Sequence, residues 1–228
     1  MSHDSGPTGD PYERPLDLLR ALAVSEVEET PGLVHLEAYT MSGLLTILWH
    51  GPQDAERVVV AGGGAMGGLL GPGRGVYVEL GRRLAEQGIG TMRVGYRKPN
   101  DIEACTLDLC AAIDLAWRRG ARSAITLGHS FGGAIALRAA VSLPAVKGVV
   151  TYATQSAGCE PAEDYGDRPL LMFHGDRDEI LPAQASEMVR ILVGHGDLRV
   201  LEGAGHLLDT VHDQLVDETE AFVLATLA

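Results

Sequence analysis

The chain has 228 residues, 46% of them hydrophobic and 21% charged, enough to bury one core without disulfides or a metal. Its 18 Lys and Arg against 31 Asp and Glu leave a net charge of −13, which disfavours contact with phosphate backbones and argues against nucleic-acid binding. The 3 cysteines, odd in number and without a Cys-x-x-Cys pair, point to reduced thiols in a cytoplasmic protein and away from a metal cluster.

Residues 1–15 (MSHDSGPTGDPYERP) mix glycine, proline and charge without periodicity. They read as a mobile tail, with 16–228 as a single domain. The polar start shows no secretory signal, and no later run suits a membrane span, so no membrane role is expected. Two β-rich runs, 34–39 and 43–50, flank a short turn and predict an antiparallel hairpin. Residues 57–61 (RVVVA) form a continuous apolar strand that ends in a glycine-rich loop, 62–75. Val76, Leu80 and Leu84 share a helical face over 76–87, closed by Gly88. A strand at 91–96 follows. Asn100, with Glu103 three residues on, predicts the start of a helix running to Gly120. The remainder alternates strand 123–127, helix 131–142, strand 146–152, strand 169–173, helix 183–193, strand 198–201 and helix 207–225. Alternation of this kind predicts right-handed βαβ units and a mostly parallel sheet with helices on both faces. Ligands of such sheets sit beyond the carboxyl ends of the strands.

The sharpest motif is Gly128-His129-Ser130-Phe131-Gly132, followed by Gly133, between a predicted strand and a predicted helix. Gly-x-Ser-x-Gly in that context is a nucleophile turn. A strained backbone lifts the serine hydroxyl above the sheet, and the glycines leave room where a Cβ would clash. A serine nucleophile needs a base and the base needs an orienting acid. His206, in Ala204-Gly205-His206 after the last strand, is the histidine placed at the right edge; His129 and His174 read as supporting residues. Three carboxylates compete for the acid, Asp176, Asp178 and Glu179. Asp178 is favoured, which makes the chain order Ser130, Asp178, His206.

On these residues the chain, from about Arg57 to its C-terminus, resembles the α/β-hydrolase superfamily, near its dienelactone-hydrolase-like and short-esterase branches. The resemblance implies an α/β-hydrolase fold, with the acid of a His-Gly-x-x-Asp-x-x-x-Pro segment on Asp178 and the base of a Gly-His pair on His206. It also implies two backbone donors for an oxyanion, at Phe131 and Gly64, with Ala65 as the fallback for the second. Two departures stand out: Ser130 where dienelactone hydrolases carry cysteine, and Gly62-Gly63 where His-Gly is frequent.

A rival reading takes Gly62-Gly63-Gly64-Ala65-Met66-Gly67 as the dinucleotide-binding Gly-x-Gly-x-x-Gly of an oxidoreductase. Further glycines delay any helix to about Val76, and the next strand ends without an acidic residue, so this reading is disfavoured. The expectation is therefore a serine hydrolase cleaving small, compact esters or thioesters, with no cofactor. Acyl transfer to another acceptor on the same residues is the alternative. Only residues 153–168 separate two strands where cap domains usually insert, so no cap domain is expected. Loop 62–75 is expected to be too glycine-rich to build an apolar wall. Oligomeric state is not legible.

Overall fold

The computed structural model describes residues 14–228, so the tail expected at 1–15 lies outside the described residues except for its last two. Pro15 opens a short helix, α1 (Pro15–Leu18), and Arg14 pairs with the buried carboxylate of Asp114. Asp114 also accepts from the Leu16 N–H at 3.2 Å.

The strands are β1 (Ala23–Thr30), β2 (Leu33–Thr40), β3 (Gly43–His50), β4 (Arg57–Gly62), β5 (Gly90–Gly95), β6 (Ser123–His129), β7 (Val146–Tyr152), β8 (Leu170–Gly175) and β9 (Asp197–Leu201). Together they form one sheet in the order β1-β2-β3-β5-β4-β6-β7-β8-β9. The first three run antiparallel and β3 meets β5 antiparallel; from β5 to β9 all neighbours are parallel. The helices are α2 (Val76–Glu86), α3 (Ile102–Arg118), α4 (Phe131–Ser142), α5 (Gln184–Val193) and α6 (His212–Thr226).

The run Arg57–Gly62 shows why the sheet is double-faced. Val58 and Val60 point into the core shared with α3 and α4, whereas Val59 and Ala61 point into the core shared with α2 and α6. A strand buried on both faces has no polar side to show, hence its unbroken apolar sequence.

Three local departures from the expected elements have simple causes. β1 was not anticipated, because every one of its residues is exposed and none alternates with a buried neighbour. It exists through main-chain pairing with β2 across the Pro31-Gly32 turn, where Gly32 has φ +78°. The cap of α3 is Asp101, not Asn100: its carboxylate accepts from the Ala104 N–H at 3.0 Å, while Asn100 itself turns left-handed at φ +68°. Glu103 pairs with Arg138 instead of closing a capping box.

Between β7 and β8 the chain makes a single 3-10 turn (Glu160–Asp164) and no cap domain. Among the described residues no helix is long and apolar enough to cross a membrane. Cys105, Cys110 and Cys159 are free and buried, and burial pushes each thiol up to about 12.

Candidate active site

β4 lies between β5 and β6, so the connections leaving β4 and β6 diverge toward opposite faces and open a crevice at their carboxyl ends. Four predicted site segments end there: loop 62–75 after β4, Ser130 after β6, Asp178 after β8 and His206 after β9.

Ser130 is the single residue between β6 and α4. Its backbone is left-handed, φ +56° and ψ −120°, a conformation that costs a non-glycine residue on the order of 1–3 kcal/mol. The surroundings hold it there. Its N–H donates to the Tyr152 carbonyl at 2.8 Å, and its own carbonyl accepts from the Gly133 N–H at 3.0 Å. A Cβ on Gly128 would overlap the Gly132 carbonyl, one on Gly132 would overlap the Gly63 carbonyl, and one on Gly133 would overlap the Thr154 hydroxyl. Each glycine of the motif is thus fixed by a backbone or side chain pressed against it. Phe131 is the first residue of α4, so its N–H has no partner within the helix and points from the positive end of the helix dipole.

Loop 62–75 closes the other side. A Cβ on Gly64 would lie 3.8 Å from Ser130 Cβ, which puts this residue beside the serine. The Gly67 N–H donates to the Gly64 carbonyl at 2.9 Å, and the two residues form an isolated antiparallel bridge around Ala65 and Met66. The Tyr77 hydroxyl of α2 donates to the Gly62 carbonyl at 3.0 Å and fixes the root of the loop. Since α2 opens only at Val76, the Gly-x-Gly-x-x-Gly run does not lead into a helix N-terminus.

The three competing carboxylates separate by what they touch. Asp178 Oδ2 accepts from His206 Nδ1–H at 2.8 Å. Asp176 Oδ1 accepts from the Gly203 N–H at 2.6 Å, and Glu179 Oε2 from the His206 backbone N–H at 3.3 Å. Only Asp178 meets the imidazole. Its side chain is fully buried, and its Oδ1 accepts from the N–H groups of Ile180 and Leu181, both at 2.8 Å. Burial pulls this carboxyl up, but the Leu181 N–H, the His206 ring and the Ile180 N–H outweigh it and leave it below the ordinary aspartate value.

Two further histidines brace the arrangement. His174 Nε2 lies 3.0 Å from the Leu181 carbonyl and 3.1 Å from Asp178 Oδ2, with its Nδ1 2.7 Å from the Ser186 hydroxyl. His129 Nε2–H donates to the His206 carbonyl at 3.0 Å, and burial pushes its imidazole down to about 4, so it is neutral when it does so. Nothing in the spacing of His129 and His206 forecast this bond, which joins residues 77 positions apart.

Ser130, His129 and His206 line one cavity of about 510 Å³ together with loop 62–75, Ile180 and Leu207. The expectation that this loop could build no apolar wall is wrong. Met66, Leu69 and Leu70 are its lining, and Met66 is 92% exposed at the mouth, beside the exposed Leu70, Ile180 and Leu207.

Sheet order, crossovers and the turn at Ser130 define the α/β-hydrolase fold that the sequence resemblance implied. Solved structures bear this out. Est1E from Butyrivibrio proteoclasticus superposes with a TM-score of 0.73 at 16% identity, over 85% of this chain and 98% of its own. A dienelactone hydrolase from Anabaena variabilis gives 0.71 at 16%, over 89% and 98%, and a cold-adapted esterase from an Arctic intertidal metagenomic library 0.66 at 16%, over 86% and 96%. No protein-family model matches the sequence, and no curated protein does.

Proposed function

We propose that this chain is a serine hydrolase that cleaves esters or thioesters of small, compact acyl groups through an acyl-enzyme on Ser130. The observation that carries the reading is the His206 ring bonded to the buried Asp178 carboxylate at 2.8 Å, on the wall of the cavity that Ser130 also lines.

In this mechanism Ser130 Oγ attacks the acyl carbon while His206 Nε2 takes the hydroxyl proton. Asp178 holds the ring with its proton on Nδ1, which keeps the Nε2 lone pair toward the serine, and stabilises the imidazolium that forms. The carbonyl oxygen becomes an oxyanion, which the N–H groups of Phe131 and Gly64 stabilise. His206 then returns the proton to the departing alcohol or thiol. Water attacks the acyl-enzyme by the same route in reverse and frees the carboxylate and Ser130. The neutral His129, bonded to the His206 carbonyl, fixes the height of the base above the sheet. Met66, Leu70, Ile180 and Leu207 supply apolar contact for the substrate at the mouth. A cavity of about 510 Å³ is the size of a small-molecule site.

Titration with a fluorophosphonate probe tests the reading. The probe adds its mass to the Ser130 peptide of the wild type, and Ser130→Ala loses both the adduct and ester hydrolysis by roughly 10⁴–10⁶ in kcat. Labelling of another residue, or near-normal turnover by a folded Ser130→Ala, refutes it.

A further inference from the structure

A second cavity, of about 450 Å³, lies away from Ser130, between α2, the end of β3 and the β1–β2 turn. Its lining includes His50, Arg82 and Arg93, with one carboxylate, the exposed Glu86, on the same wall. The chain is strongly acidic, and its arginines are for the most part paired: Arg83, Arg97, Arg118, Arg119, Arg138 and Arg190 each meet a carboxylate. Arg93 does not. It is only 5% exposed, and among the described residues no carboxylate comes within 4.0 Å of it. One guanidinium nitrogen, Nη1, donates to the Leu69 carbonyl at 3.2 Å, and Nε has no partner among the described residues. A buried cation without a counter-ion is among the costlier things a fold can retain.

His50 repeats the pattern. It is 7% exposed, its Nε2 has no partner among the described residues, and its ring is wedged against α2, where a Cβ on Gly81 would lie 2.7 Å from Cδ2. Burial first, then the nearby Arg93 and Arg82, push its imidazole down to about 4, so it adds no charge to the lining. Arg82 is mostly exposed, and its one ion-pair partner among the described residues is Glu79, at 3.9 Å. Two guanidinium groups and one imidazole therefore converge on one recess, opposed among the described residues by Glu86 in its lining and by Glu79 at 3.9 Å from Arg82. Val78, Ala85, Pro31 and Leu33 make its other walls apolar.

We propose that this recess is a binding site for a compact phosphate-type oxyanion, held by Arg93, Arg82 and His50. A guanidinium edge presents two parallel N–H groups that match an oxyanion, and a third donor suits the tetrahedral phosphate better than a planar carboxylate. The site is separate from the proposed hydrolytic centre, although Arg93 touches it through Leu69, and it stands whether or not Ser130 is a nucleophile.

Inorganic phosphate is the probe. Isothermal titration of the full chain at constant ionic strength, set with sodium chloride, is expected to show saturable binding to one site. Arg82→Gln, on the exposed side of α2, and Arg93→Gln should each weaken it roughly tenfold, the loss of one charge-assisted contact. Acetate at the same ionic strength should bind at least tenfold more weakly than phosphate. Circular dichroism confirms that each variant is folded, and Arg82→Gln alone suffices if Arg93→Gln is not. Absence of saturable binding, or binding that Arg82→Gln leaves unchanged, overturns the site; acetate binding as tightly as phosphate overturns the assignment of its ligand.

Discussion

Replacing Asp178 by asparagine is the sharpest perturbation of the proposed mechanism, because every group around that carboxylate is a donor. Oδ1 receives two backbone N–H groups at 2.8 Å, and Oδ2 receives the His206 ring at 2.8 Å and faces His174 Nε2 at 3.1 Å. An amide has one acceptor end. The two backbone donors are fixed by the turn at 178–181, so the oxygen stays with them and the NH₂ group faces the imidazoles. His206 answers by moving its proton to Nε2 and accepting at Nδ1, and that tautomer has no lone pair for Ser130. The fold survives while the base is lost, which in a Ser-His-Asp triad costs about 10⁴ in kcat, or about 5.5 kcal/mol of transition-state stabilisation. Asp176 and Glu179 bond only to backbone N–H groups, so Asp176→Asn and Glu179→Gln should stay within about tenfold of wild type. Initial rates on a short-chain p-nitrophenyl ester, with thermal melts to confirm folding, decide the matter. If Asp178→Asn stays within tenfold of wild type, or Asp176→Asn is the more damaging, the acid is misassigned.

Other outcomes follow from the same contacts. Stability should fall as pH drops from about 6.5 to about 4: His129 is held at about 4 when folded, so the unfolded chain takes up the proton first, and the difference amounts to about 3 kcal/mol below both values. Urea unfolding across this range should show a weaker pH dependence in His129→Gln, and equal slopes would refute the buried neutral imidazole. Gly132→Ala should destabilise the fold by about 1–3 kcal/mol, since its Cβ would press on the backbone carbonyls of Gly63 and Gly62; an unchanged urea midpoint would show that α4 can shift. Across a series of p-nitrophenyl esters, kcat/KM should peak at acyl chains on the order of two to six carbons, because without a cap a longer chain lies partly in water and gains less than the roughly 0.8 kcal/mol per buried CH₂. A steady rise through long chains would mean that Met66, Leu70, Ile180 and Leu207 fold over the substrate as a lid.

What could be read from the sequence is what leaves a periodic or stereochemical trace. β4 is buried on both faces and reads as an apolar run, and α2 carries its core contacts Val76, Leu80 and Leu84 at helical spacing. The turn at Ser130 was legible because its geometry demands glycine at Gly128, Gly132 and Gly133, each excluded from a side chain by a neighbour pressed against it. β1 left no such trace. Its Val24 and Val27 are exposed among Glu26, Glu28 and Glu29, and its stability comes from ladder bonds to β2 that any side chain could accompany. Loop 62–75 misled for the opposite reason: its glycines serve turns such as Gly67, at φ +79°, and leave Met66, Leu69 and Leu70 free to face the cavity.

The same distinction explains why the proposed reacting groups could be placed from sequence, and His129 and His174 read as supports, while the bonds those supports make could not be foreseen. Ser130, Asp178 and His206 sit at strand ends, and strand ends are countable from sequence alone. His129, His174 and Tyr77 act on partners 77, 7 and 15 positions away, through bonds to the carbonyls of His206, Leu181 and Gly62. A carbonyl has no residue identity, so the sequence of the partner says nothing about the bond. The cost of losing such a bond is nonetheless set by burial: an orphaned donor or acceptor inside the fold costs about 1–3 kcal/mol, of the same order as the strain stored at Ser130. On the proposed mechanism, the chain can therefore keep Ser130, Asp178 and His206 intact and still be mistuned by a change at His129 or Tyr77. Variants at those two positions separate placement of the base from its chemistry.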